Sequence, residues 1–330
     1  MEQIAEILQA DDKTAELVRR LDAIGPPSFL VELPGVDDLA PILLDLAVPH
    51  EDINPLIALR PQVDASPELR WLLERCVHVL TQRMGQVGDL PAFPELAEHL
   101  GPMARYFSVF VFVSMLPHVR AYHRSRGIPD DVSRRTLADI GRNMAVNRMR
   151  RGEGGLGVVF WLMLHVTGAI YDLGRLQFER ATLGNRSGQA ASAAGAPVGP
   201  GGLVLSVHIP EFSGPLSPAA CDAAFAHAQR FFARHFPDEP YAVAACWSWL
   251  LDEQLPEYLP AESNIVQFQR RFTPAYTPND DDAGTVLFVF GRETWTLDEL
   301  PRRTRLERAI GDHIRAGRHW HGGVGWLSLP

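Results

Sequence analysis

Two kinds of hydrophobic periodicity divide the chain near residue 150. Before that point, apolar residues recur at spacings of three and four, which predicts amphipathic helices. Pro117 is expected to end or kink the most apolar of them. No strand pattern is clear in this part, so we expect a helical N-terminal domain. The predicted helices begin with turns around Ile4 and Leu17 and continue at residues 37–48, 67–84, 94–116 and 130–150.

After residue 150 the pattern becomes mixed. Residues 152–157 are rich in glycine and are interpreted as a linker or hinge, and residues 158–164 fit a helix or a strand equally well. The stretch 181–202, rich in Gly, Ala and Ser, is expected to be a mobile loop between two antiparallel strands. Asp280, Asp281 and Asp282 are expected at a solvated hairpin tip. We predict strands at residues 170–180, 203–209, 241–251, 264–272 and 285–290, a helix at 296–316 and a short terminal strand.

The clearest local unit is a strand, a turn and a helix between residues 203 and 236. Alternation from Leu203 to Ile209 predicts the strand, and Pro210 ends it because proline cannot donate to a ladder. Ser217 followed by Pro218 is typical of a helix N-terminus. Free backbone N–H groups at such a terminus suit a phosphate-bearing ligand. The alternative is an ordinary strand–helix connection, since a glycine-rich fingerprint is missing.

Composition narrows the class of protein. The 330 residues are 46% hydrophobic and carry a formal net charge of −9, which fits two globular domains and argues against nucleic-acid binding. The three cysteines indicate a reduced, cytoplasmic setting. The N-terminus does not have the pattern of a signal peptide. The longest apolar stretch, residues 107–116, is shorter than the roughly 20 residues that span a bilayer, so we expect no membrane association.

Four stretches resemble the bacterial acyltransferase-domain proteins. Those proteins join a helical N-acyltransferase N-terminal domain to a GNAT-like C-terminal domain. The resemblance implies an α+β fold, with a helical domain at residues 1–132 and a GNAT-like mixed sheet flanked by helices at residues 133–330. The stretches are GRLQFER (174–180), VHIPEFSGPLSPAACD (207–222), CWSWLLDEQLPEYLP (246–260) and SNIVQFQRRF (263–272).

The resemblance also implies acyl transfer from acetyl-CoA or another acyl-CoA, with an amine of an unknown small molecule as acceptor. GNAT enzymes usually hold the cofactor pyrophosphate with a Gln/Arg-x-x-Gly-x-Gly/Ala loop. The corresponding residues 211–217, EFSGPLS, contain one glycine and no arginine. The remaining candidates for binding the cofactor are Ser213, Gly214, Leu216 and Ser217.

Acyl transfer needs a base for the amine, a donor for the thioester oxygen and an acid for the leaving thiolate. His208, at the end of the central strand, is the candidate base, and Glu211 would orient it or act through a water. Asp252 would bind the ammonium group of the acceptor, and Tyr258 is the candidate acid. The alternative for each is a structural role, as a core histidine, a helix-start carboxylate, a turn aspartate and a packed tyrosine.

Three other possibilities remain at this stage. The chain would be a non-catalytic binding or scaffold protein if the groove between the strands at 203–209 and 241–251 were filled. A hydrolase that uses Cys246 is a weaker alternative, since a small buried cysteine is the commoner case. His319 and His321 form an H-x-H pair with no predictable third ligand, so no metal is expected. The sequence does not indicate an oligomeric state.

Overall fold

The computed structural model describes residues 2–9, 13–276 and 280–329. By its internal contacts the chain divides into two units, Met1–Tyr171 and Asp172–Pro330. The sequence analysis had placed the domain boundary earlier, after residue 132. Among the described residues, no helix is both long and apolar enough to cross a membrane.

The first unit is helical, as expected. Residues 106–116 form its centre and are all buried. The helix that contains them does not end at Pro117; it runs on to Ser125, and the ambiguous segment near residue 160 is also a helix. The helices are α1 Glu2–Glu6, α2 Thr14–Ile24, α3 Val36–Asp45, α4 His50–Ala65, α5 Pro67–Gln82, α6 Pro102–Ser125, α7 Asp130–Leu137, α8 Asp139–Arg151 and α9 Val159–Val166.

The glycine-rich segment 152–157 packs tightly onto this unit. A Cβ atom on Gly154 would lie 1.9 Å from both the Oδ1 atom of Asp52 and the hydroxyl of Tyr106. The Nδ2 atom of Asn147 donates to the carbonyl oxygen of Glu153 at 3.0 Å. These glycines allow close packing inside the first unit, so the segment does not link the two units.

The second unit is built on one mixed sheet. Its six strands follow the order β1-β2-β3-β4-β6-β5. β2 pairs antiparallel with β3 and β4 with β6, whereas β3 and β4 run parallel. The strands are β1 Ile170–Asp172, β2 Gln177–Thr182, β3 Leu203–His208, β4 Val243–Ser248, β5 Thr273–Tyr276 and β6 Gly323–Ser328.

The helices of this unit include two segments that the sequence analysis assigned to strands. Residues 264–272 form α12, because the hydroxyl of Ser263 accepts from the backbone N–H of Val266 and caps a helix. Residues 285–290 lie in α13, which Asp281 caps in the same way, so the predicted hairpin tip is a helix start. The predicted mobile loop contains α10. The helices are α10 Asn185–Ala193, α11 Pro218–His235, α12 Asn264–Gln269, α13 Asp282–Phe290 and α14 Arg305–Arg315.

One face of the sheet packs against α11, and the opposite face carries polar side chains. Phe178 of β2 stacks edge-on against Phe225 of α11, with ring centroids 5.5 Å apart, so α11 packs on that face. Because directly paired residues share a face, the register of β2 and β3 places Gln177, Glu179, Ser206 and His208 together on the opposite face. The α+β fold with a GNAT-like mixed sheet is thus confirmed.

Candidate active site

The site begins where β3 and β4 separate. Their described register has only two pairs, Leu205 with Ala244 and Ser206 with Ala245. Both strands continue for two or three residues beyond these pairs, to His208 and Ser248. Since parallel strands end at the same edge of a sheet, the described pairing stops short of that edge.

His208 lies at this open edge and contacts a carboxylate of the neighbouring strand. Its Nε2 atom lies 2.8 Å from the Oε2 atom of Glu179. The side chains are 27% and 22% exposed, so each is partly desolvated yet reachable. Because an ionised carboxylate only accepts, Nε2 is the donor in this hydrogen bond. Sequence analysis selected His208 but missed Glu179, which becomes its neighbour only through strand pairing.

The loop that follows β3 leads into a capped helix. The hydroxyl of Ser217 accepts from the backbone N–H of Ala220 at 3.3 Å, which confirms the predicted N-cap of α11. The hydroxyl of Ser213 donates to the carbonyl oxygen of Glu211 at 3.5 Å, and Leu216 is buried. Phe212 and Gly214 adopt left-handed backbone conformations, with φ of 60° and 77°. For Phe212 this conformation costs about 1–2 kcal/mol.

Two arginines from distant parts of the chain contact the segment that runs from the end of β3 to the first turn of α11. Arg271, just after α12, pairs with Asp222 and donates from Nη2 to the carbonyl oxygen of Pro218 at 3.0 Å. Arg175, between β1 and β2, donates from Nη1 to the carbonyl oxygen of Pro210 at 3.3 Å. Burial raises the pKa of Cys221, and the charges of Arg271 and Arg175 act against that shift. The Nε atoms of both arginines are buried without a hydrogen-bond partner.

This arrangement supplies the positive charge that the loop at residues 211–217 lacks. Guanidinium groups match phosphate oxygens in charge and geometry, and a helix N-terminus adds oriented N–H groups. Sequence analysis missed both arginines because they come from stretches far from the loop. Each lies in a stretch that carried the family resemblance, GRLQFER and SNIVQFQRRF, which was the available signal.

Asp252 and Tyr258 have contacts that favour structural roles. The buried carboxylate of Asp252 accepts from the backbone N–H groups of Gln254 and His321, at 2.8 and 2.7 Å. The hydroxyl of Tyr258 lies 2.8 Å from the Nδ1 atom of His313, and its ring packs against Trp320. These contacts hold both side chains within the protein, and their catalytic roles stay predictions.

The H-x-H pair is also engaged within the protein. Nδ1 of His319 lies 2.7 Å from Oδ2 of Asp282, and Nε2 of His321 lies 3.3 Å from Oδ1 of Asp280. In the part of the chain that the structure describes, no group of three or more His, Cys, Asp or Glu side chains is arranged to hold a metal ion.

Large exposed aromatic side chains border the open edge. Trp247 of β4 is 41% exposed and, by the register of β3 and β4, lies on the same face as His208. Phe212, four residues after His208, is more exposed still. Exposed aromatic groups beside a slot are typical of a surface that binds a ring-bearing partner.

Comparison with known proteins agrees with this geometry. Residues 37–168 match the model of the N-acyltransferase N-terminal domain, and residues 170–327 match that of the GNAT-like C-terminal domain. Among solved structures, an acyltransferase in complex with decanoyl-CoA and teicoplanin is 39% identical, with a TM-score of 0.91. The alignment covers 100% of this chain and 99% of that one. The chain belongs to this family of two-domain acyltransferases.

Two further structures match equally well over the same shares of both chains. One is an acyltransferase in complex with CoA and 10C-teicoplanin, and the other is an acyltransferase mutant in complex with octanoyl-CoA. Both are 39% identical to this chain, with TM-scores of 0.91. Comparison with curated protein sequences found no significant match. Family membership confirms the prediction of an N-acyltransferase.

The burial of Cys246 bears on the alternative in which this cysteine is the nucleophile. Its side chain is fully buried, and burial raises its pKa to about 12. At pH 8 only about one molecule in 10⁴ would carry the reactive thiolate. We expect Cys246→Ala, assayed where it is fully folded, to keep acyl-transfer activity within about threefold of the parent protein. A decrease in activity of more than 100-fold would indicate that Cys246 takes part in the reaction.

Proposed function

We propose that this N-acyltransferase moves a medium-chain acyl group from acyl-CoA to an amine of a glycopeptide related to teicoplanin. The observation that carries the proposal is the short described ladder between β3 and β4, which ends at Ser206 and Ala245, before His208 at the end of β3. The acyl group is taken from the octanoyl-CoA and decanoyl-CoA complexes of the matching structures. It replaces the acetyl group favoured by the sequence analysis.

In this proposal CoA binds with its phosphates toward the first turn of α11. Arg175 and Arg271 donate to the phosphate oxygens, supported by backbone N–H groups and by the hydroxyls of Ser213 and Ser217. Gly214 and Leu216 shape the loop rather than supply charge. The pantetheine arm then extends along the slot between the diverging strands, so the thioester comes to the open edge of the sheet.

The proposed chemistry centres on His208. Glu179 accepts the hydrogen bond from Nε2, which orients the ring and stabilises the imidazolium that forms. The imidazole of His208 takes a proton from the acceptor amine as the nitrogen attacks the thioester carbonyl carbon. The new C–N bond forms, the C–S bond breaks, and the proton passes to the departing CoA thiolate. Trp247 and Phe212 provide an aromatic surface for the acceptor.

The catalytic assignment is tested by His208→Gln and Glu179→Gln. We expect His208→Gln to lower kcat by about 10²–10⁴-fold, as is typical for loss of a general base, and Glu179→Gln to have a smaller effect. The assay follows release of the CoA thiol from decanoyl-CoA in the presence of teicoplanin-type amines, with product masses measured in parallel. His227→Gln is the matched control. His227 lies in α11, and its Nδ1 atom contacts the carbonyl oxygen of Leu173, so its role is to pack that helix. Equal activity of His208→Gln and this control would remove His208 from the mechanism.

The cofactor assignment is tested by Arg175→Gln and Arg271→Gln. Loss of a charge-assisted hydrogen bond should raise the Kd of decanoyl-CoA by about 10- to 100-fold. Arg270→Gln is the control, because Arg270 is the exposed neighbour of Arg271 in the chain.

Decanoyl-pantetheine, which lacks the phosphates, should bind the parent protein and both variants equally. Isothermal titration calorimetry measures both ligands. If either variant weakens decanoyl-pantetheine as much as decanoyl-CoA, the arginines act through the fold and do not bind phosphate.

A further inference from the structure

Gln177 occupies a distinctive position in the sheet. It begins β2 and pairs directly with His208 of β3, so the two side chains share a face and stand side by side. Glu179 lies two residues further along β2 on that same face. The side chain of Gln177 therefore borders the imidazole at the edge where β3 and β4 separate.

The amide of Gln177 is buried and has no partner. The residue is 0% exposed, and neither Nε2 nor Oε1 makes a hydrogen bond. A buried polar group without a partner opposes folding, because the hydrogen bonds it makes to water in the unfolded chain are lost. Other glutamines of the same unit are satisfied: Gln269 donates to the carbonyl oxygen of Asp252 at 2.6 Å, and Gln254 donates to that of His319 at 2.9 Å. A methionine of similar volume would suit the site of Gln177 better if packing were its only role.

We propose that the side-chain amide of Gln177 binds the two reacting groups of the acyl transfer. Nε2 donates to the thioester carbonyl oxygen as it gains negative charge, and Oε1 accepts an N–H of the attacking amine. The inference rests on the proposed function, since it assigns a residue to that reaction. Gln177 is then a catalytic residue, beside the base His208.

The geometry of an amide suits this double contact. Its N–H and C=O groups point the same way from one planar unit, while the attacking nitrogen and the carbonyl oxygen sit on one carbon atom in the tetrahedral intermediate. One amide thus reaches both atoms. The amine proton goes to His208, the C–S bond breaks, and the oxyanion returns to a carbonyl. His208 and Glu179 are each about a quarter exposed, whereas the amide of Gln177 is buried, so the inference requires that substrate reach it past these two side chains.

For Gln177→Met we expect the Tm to be kept or raised while kcat falls. Removing the unpartnered amide should leave the Tm unchanged or raise it by about 2 °C or more. The same change should lower kcat by about 10²–10³-fold, the usual effect of losing one donor to an oxyanion. The Kd of decanoyl-CoA should stay within about threefold of the parent value, because contacts to the phosphates and the pantetheine arm are intact.

Gln269→Met is the matched control. It makes the same chemical change at a glutamine whose hydrogen bond is satisfied, so it should lower the Tm and leave kcat within about threefold. The measurements are thermal unfolding, calorimetry with decanoyl-CoA and release of the CoA thiol with a teicoplanin-type amine.

Three results would overturn the inference while leaving the proposed function intact: a kcat for Gln177→Met within threefold of the parent, a lowered Tm, or failure of the variant to fold. A lowered Tm or failure to fold would show that the amide stabilises the native protein. Failure of the proposed function looks different, because the parent protein itself would then release no CoA thiol with any acyl-CoA and amine tested. The inference would fall together with it.

Discussion

The early separation of β3 from β4 is the constraint on which the rest of the site depends. Strands that stayed hydrogen-bonded to their ends would consume the backbone groups around Val207 and Cys246 and close the edge of the sheet. Here the described ladder ends at Ser206 and Ala245. Pro210, which cannot donate to a strand, then turns the chain toward the capped start of α11. In our proposal this local break in pairing makes room for the pantetheine arm beside His208, near the N-terminus of α11.

Arginine side chains lie on one side of this break in pairing and polar side chains on the other, an arrangement that fits a CoA thioester. Arg175 contacts Pro210 after β3, and Arg271 contacts Pro218 at the start of α11, where we propose that the phosphates bind. On the opposite face, β2 contributes Glu179 and Gln177 next to His208. The protein is acidic overall, so the proposal assigns the attraction for an anionic cofactor to two guanidinium groups and a helix terminus rather than to net charge.

Local signals in the sequence were sufficient to predict the strand and the helix that border the candidate site. Alternation between Leu203 and Ile209, a proline stop and a Ser-Pro helix start each act within a few residues, so β3 and α11 were predicted correctly. The same local signals misled at residues 264–272 and 285–290. Those segments are short and apolar, and the capping residues Ser263 and Asp281, rather than periodicity, decide that they are helices. Glu179, Arg175 and Arg271 could not be assigned from local pattern, because strand pairing and helix packing bring them to the site from distant parts of the chain.

The most direct measurement is a crystal structure of this protein with decanoyl-CoA bound. The account predicts the pantetheine arm between β3 and β4 beyond Ser206 and Ala245, the phosphates against Arg175, Arg271 and the first turn of α11, and the thioester carbon within reach of His208. Decanoyl-CoA bound elsewhere, with β3 and β4 paired to their ends, would contradict it.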